Sequence, residues 1–155
     1  MAAISIEDDV KAVRGEICLK LYRSGKLIDE YVEHNLVVDT GRQRLAELVT
    51  GKSNSIISQV GFGSGSDPEA SSDTSLQEQI LIPLRPIEDG GETTKVEGLD
   101  AIFYFTLEEH EAVGLSIREL GLFCDDGCMF SHRVRRGEIY KDSDIKIRGS
   151  WTLHF

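Results

Sequence analysis

Long apolar runs are missing from this chain. So are cysteines in framework numbers, an excess of basic residues and any complete catalytic motif. No segment approaches the apolar run of about 18 residues that a membrane-spanning helix needs. Three cysteines, an odd number, make no disulfide framework. The opening MAAISIEDDVKAVRGE is acidic and has no apolar block behind a basic start, so it does not read as a secretory signal, and folding in cytoplasm is expected. Lys and Arg number 17 against 27 Asp and Glu, a formal net charge of −10. A balance of that sign is repelled by nucleic acid, so neither nucleic acid nor a membrane is an expected partner.

What is present reads as β structure. EICLKLYR alternates Ile17, Leu19 and Leu21 against Cys18, Lys20 and Tyr22, with Cys18 taken as a small buried hydrophobe. KLIDEYVEHNLVV continues after Ser24 and Gly25, a two-residue loop suited to a tight hairpin. In TGRQRLAELVTG the period changes: Leu45, Leu48 and Val49 share one helical face. Thr40 and Gln43 have capping-box spacing and Gly51 is placed to end the helix left-handed. One short helix over about residues 40–51 follows. Further strands are read in IISQVGF, VEGLDAIFYFTL, GLSIRELGLF and CMFSHRV, while Pro83 and Pro86 confine QILIPLRPI to a sheet edge or turn. DIKIRGSWTLHF puts Ile145, Ile147, Gly149, Trp151, Leu153 and Phe155 on one dry face, which predicts a buried Trp151. The expected fold is mainly β, an antiparallel β-sandwich or partly closed barrel with one helix. Residues 1–15 are expected to form a flexible arm and 16–155 a single domain.

The candidate sites are few. Gly61, Gly63 and Gly65 in GFGSGSD suggest a phosphate cradle, but no helix start and no Lys follow them. Alternation instead leaves one face of a strand bare, which lets another backbone or a large aromatic come close. Cys124, Cys128 and His132 form C-x3-C-x3-H without a fourth zinc ligand. The expected alternative is a DDG hairpin with Gly127 left-handed and reduced thiols facing each other. Asp125 and Asp126 offer too few oxygens for calcium. His34, His110, His132 and His154 fall in no hydrolase or metalloprotease motif, and EEHEA around His110 reads as a solvated loop. HRVRRGEIYK reads as a strand edge with solvated Arg133, Arg135 and Arg136. No catalytic, cofactor-binding or metal-binding residue is assigned, and no enzyme is expected.

Four patterns together resemble small tail proteins of bacteriophages and prophages, in the collar-proximal or N-terminal regions of tail-fibre proteins. They are N-x-V-V-x-x-G before the helix, GxG with a Ser/Thr/Asp loop ending in T-x-L, R-E-x-G-L-F before a hairpin, and a closing W-x-x-x-F. The resemblance spans roughly residues 16–155. It implies a virion structural part of a phage tail or tail-like particle, made in the host cytoplasm, with tail or baseplate proteins as partners and no catalytic residues. Fibre proteins continue into a shaft and tip, whereas this chain stops at Phe155, so an adaptor, connector or prophage remnant is expected. Self-association as a trimer or hexamer is expected through β edges, the glycine-faced strand or the 66–75 loop. The alternative from another class is a monomeric β-sandwich module binding a small ligand or carbohydrate.

Overall fold

A computed structural model describes residues 13–80, 85–86 and 94–155 of the chain. In chain order the elements are β1 (Arg14–Arg23), β2 (Lys26–Val37), α1 (Asp39–Val49), β3 (Ile57–Gly63), β4 (Arg85–Pro86), β5 (Thr94–Glu97), β6 (Asp100–Leu107), β7 (Ser116–Cys124), β8 (Met129–Tyr140) and β9 (Ile145–His154). They form one nine-stranded sheet in the order β4-β3-β7-β8-β2-β1-β9-β6-β5. Every pairing is antiparallel. The fold is mainly β with one short helix, as expected.

The long strand β2 is the corner of the sheet. Lys26–Asn35 pair with β1, and Leu36 and Val37 then switch to Ser131 and His132 of β8. The sheet therefore curls into a half-barrel over its own core. Phe62 of β3 and Phe105 of β6 touch edge to face, with centroids 5.7 Å apart, although five strands separate them in the sheet order. The inner rows are the ones alternation predicts: Ile17, Leu19 and Leu21 on β1, and Ile147, Trp151 and Leu153 on β9. Trp151 is 0 % exposed, with Ile17 opposite on one side and Phe103 on the other.

Gly149 interrupts that apolar row for a steric reason. It lies between Leu19 and Phe105, and a Cβ there would run into the Phe105 ring. Gly149→Ala is expected to cost about 1–3 kcal/mol as an overpacking change, with part of it recovered by adding Phe105→Leu. An unchanged urea midpoint for the single variant would contradict this account.

Several local expectations are corrected. The first strand begins at Arg14, so the last residues of the expected arm belong to the sheet, while residues 1–12 lie outside the described residues. VEGLDAIFYFTL is two strands, β5 and β6, because Gly98 turns with a φ of +60°. Cys18 points to the outer face, half-buried, with its thiol 3.4 Å from Glu30. Phe155 is exposed. Of QILIPLRPI, Arg85–Pro86 form the edge strand β4 beside β3, in keeping with the edge reading, and residues 81–84 and 87 lie outside the described residues. The Ser24–Gly25 turn stands as read, with φ of 52° and 76°.

The helix differs most. It starts at Asp39 after an extended Val38, and no side chain caps it; the Thr40 hydroxyl donates to the Met129 carbonyl at 2.7 Å. A capping box fails here because the tertiary partner on β8 takes the hydroxyl first. Its C-terminus is the glycine stop foreseen. Gly51 sits at φ +72°, its N–H reaching the Leu48 carbonyl while Lys52 N–H reaches Glu47. Leu45 and Leu48 are only half-buried and Val49 is 79 % exposed, whereas Gly41 and Arg44 are buried. A Cβ at Gly41 would strike the Phe130 backbone, so glycine permits the helix to cross β8 at that point.

Candidate functional site

The glycine question is answered on the outer face of β3 and β7. Gly61 lies opposite Gly121, and Gly63 opposite Glu119. After Gly63 the chain runs out through the polar loop and returns along the edge of β3, bridging Gln79 to Gly63 antiparallel: Ser64 N–H donates to the Glu78 carbonyl and Ile80 N–H to that of Phe62, both at 2.8 Å. A Cβ at Gly63 would meet the Glu78 carbonyl and the Glu119 carboxylate. The backbone that approaches closely belongs to the same chain. The loop also cradles an anion, the carboxylate of Glu119, which accepts the N–H groups of Gly65, Gln77 and Glu78, each at 2.8 Å.

The fourth partner of Glu119 is His132. Its Nε2 lies 2.9 Å from Glu119 and its Nδ1 2.7 Å from Asp73, in the middle of the loop. The side chains of His132 and Glu119 are 0 % exposed. Burial opposes charge on the imidazole, but the bonds to Glu119 and Asp73 outweigh it and raise the His132 pKa. Burial likewise opposes charge on Glu119, yet His132 and the three backbone donors lower its pKa. With a carboxylate oxygen facing each ring nitrogen, the geometry favours the imidazolium, in which both nitrogens donate. Both ring nitrogens are occupied, and no substrate atom has access to them. The arrangement latches the 64–78 loop to β7 and β8.

The latch sits beside a second, smaller core. Val38 before α1, Leu76 from the loop, Phe123 of β7 and Met129 of β8 form it. A carboxylate–guanidinium cluster flanks the other side. Glu33 binds Arg133 at 2.8 Å and Arg135 at 2.8 Å, Glu69 binds Arg133 at 3.1 Å, and Arg135 stacks over Tyr31. Glu69 also accepts the Val134 N–H at 3.0 Å, capping β8 where its pairing to β2 has ended. The expectation of solvated arginines is thus corrected: Arg135 is buried, Arg133 half-buried, and only Arg136 stands exposed. Sequence reasoning misses this because the partners are 64 to 102 residues away along the chain.

The cysteines and His132 do not come together, since His132 is spent on Glu119 and Asp73. The DDG turn has the geometry foreseen: Gly127 is at φ +85°, and Cys124 N–H meets the Cys128 carbonyl at 2.9 Å. Both thiols are free, and burial pushes the Cys124 thiol up to about 12. Asp126 serves the helix; its carboxylate binds the Arg44 guanidinium, which holds its pKa down at about 2. Among the other histidines, His154 bonds Asp100 at 2.6 Å, and His34 and His110 are exposed. Lys141, which carries no sequence signal, is fully buried; its ammonium donates to the carbonyls of Glu109 and Asp142 and ties down the EEHEA loop.

Two of the surface depressions bear on function. A depression of about 250 Å³ on the outer face holds Tyr22 and Tyr104 beside Lys20, Arg148 and Ser150. An almost wholly apolar groove of about 290 Å³ opens between α1 and β5, bordered by Leu45, Leu48, Ile56, Val96 and Phe155. Among the described residues no His/Cys/Asp/Glu group is arranged to hold a metal, and no helix is long and apolar enough to cross a membrane. Comparison of the chain with protein-family models, curated proteins and solved structures gives no match to any of them.

Proposed function

We propose that this chain is a structural component of a phage tail or phage-tail-like particle, an adaptor, connector or fibre-associated module that works by protein–protein assembly. One observation carries the reading. Three of the four patterns that resemble tail proteins meet in one structural unit: Val38 follows Asn35 and Val37 in the first, Leu76 ends the second, and Phe123 ends the third, and these three side chains pack together beside the Glu119 latch. The residues of the resemblance therefore do architectural work. In this reading the protein is made in the host cytoplasm and resides in the virion tail. Immunogold labelling of particles released from the source bacterium tests it: label on tails is expected, and label confined to soluble protein would refute it.

Assembly in this reading includes self-association, three-fold or six-fold where it follows tail symmetry. Its contact lies elsewhere than the bare face of β3, which the chain itself covers, and the carboxylates of Glu69 and Asp73 in the 66–75 loop turn inward to Arg133 and His132. With a net charge of −10 per copy, repulsion opposes association, so the measured mass is expected to rise with salt. Light scattering that shows a sharp monomer at micromolar concentration in both low and high salt would sink self-association.

The depression on the outer face favours a second reading, a carbohydrate-binding module. Half-buried Tyr22 and Tyr104 next to Lys20 and Ser150 supply stacking faces beside polar groups. Binding of a glycan that Tyr104→Ala abolishes, by a monomer, would place this reading first.

A further inference from the structure

The core-facing row of the half-barrel runs out to an open edge at β5. Among the described residues this strand ends the sheet order and pairs on one side only, with β6. All its residues are exposed. Val96 lies opposite Ala101, which lies opposite Leu153, so its side chain belongs to the inner row; it is nevertheless 80 % exposed. Beside it the apolar groove opens toward Leu45 and Ile56, and Leu99 in the adjoining turn is 74 % exposed. Apolar side chains that end at unpaired backbone mark a place where another strand adds.

The backbone determines how that strand sits. Gly98 and Leu99 form a two-residue hairpin loop, and the pair closing such a loop, here Glu97 and Asp100, is hydrogen-bonded. Alternation along the ladder then turns the N–H and C=O of Val96 away from β6, toward the open edge. A copy related by a two-fold axis at Val96 exchanges two backbone hydrogen bonds there. In that register Lys95 faces Glu97 of the second copy, and Glu97 faces its Lys95, on the outer side of the sheet. Lys95–Val96–Glu97 run antiparallel is its own charge complement, and opposite charges directly across strands attract. On the inner side the two Val96 side chains meet over the mouths of both grooves.

We propose that β5 is a self-association edge, through which two copies of this chain pair antiparallel about Val96. The inference deepens the assembly reading and rests on its premise that the protein associates with itself. The contact is isologous, so alone it yields a dimer, and within a larger particle it joins copies in pairs.

The test is a charge exchange. Lys95→Glu or Glu97→Lys each sets like charges across both outer pairs of a homodimer, and each is expected to weaken it about tenfold or more. In a mixture of the two variants every pair across the contact is again of opposite sign, while residues 95 and 97 within each chain remain alike. Light scattering should show dimers for the parent chain, monomers for each variant alone and heterodimers for the mixture. Both changes fall on exposed residues, and circular dichroism verifies that the strands persist. A parent chain that stays monomeric at every soluble concentration overturns the proposal, as do single variants that associate like the parent. The latter result leaves self-association standing and moves its contact elsewhere, and the immunogold experiment judges the tail reading independently.

Discussion

Glu119→Gln is expected to destabilise the protein by about 3–5 kcal/mol, the range for removing one partner of a buried ion pair. In a domain of this size that corresponds to a fall in Tm of about 6–20 °C. The reason lies in what the carboxylate satisfies. It accepts three backbone N–H groups and His132, all within 2.9 Å. A carboxamide of the same shape has one oxygen and one NH2, so a donor must face a donor, and the buried imidazolium keeps only Asp73. The pH profile separates this from simple misfit. His132 has a pKa raised above its ordinary 6.5, so its stabilisation is complete below that pH and is lost as pH rises through the folded-state value. Glu119 has a pKa lowered below its ordinary 4.5, so its stabilisation is present above that pH and is lost as pH falls through the folded-state value. Stability limited by the latch is greatest between the two. The Gln variant should lose the acid arm due to Glu119, and the alkaline decline should move toward 6.5. Denaturant midpoints measured across pH check both arms; a variant within 1 kcal/mol of the parent with an unchanged profile would refute the latch.

Trp151→Ala is expected to cost about 3–5 kcal/mol through the cavity left by a large aromatic. The indole is 0 % exposed and sits mid-row between Ile17 and Phe103, where neighbouring strands cannot close in without breaking their ladders. Among the described residues its N–H has no hydrogen-bond partner. Trp151→Phe is therefore expected to cost much less, since losing an unsatisfied buried donor offsets part of the lost volume. As the only tryptophan, it also reports its own environment. Native fluorescence should lie well to the blue of the denatured protein. Emission at the fully exposed wavelength, or an Ala variant costing under about 1 kcal/mol, would contradict the packing described.

Where a physical rule acts within a few residues, the sequence alone decides the structure. The period-two pattern of DIKIRGSWTLHF determines which face of β9 is buried, because successive side chains of a strand must point to opposite sides. Ser24–Gly25, Gly51 and Gly127 announce their turns, because few other residues tolerate left-handed backbone so readily. The mainly antiparallel β architecture follows from many such strands joined by short turns. Only the tertiary structure decides where these strands meet and what the polar residues between them do. Glu119 reads as an ordinary residue of an alternating strand, His132 as the end of an incomplete zinc pattern, and Asp73 as one more loop aspartate. They become a latch because the loop folds back over glycines that leave it room. Arg133 and Arg135 look solvated until Glu33 and Glu69 arrive from far along the chain, and Thr40 looks like a helix cap until β8 offers it a carbonyl. A charge or a hydroxyl carries no label for its partner; its pairing is selected by the cost of burying it unpaired, and burial is a property of the assembled fold.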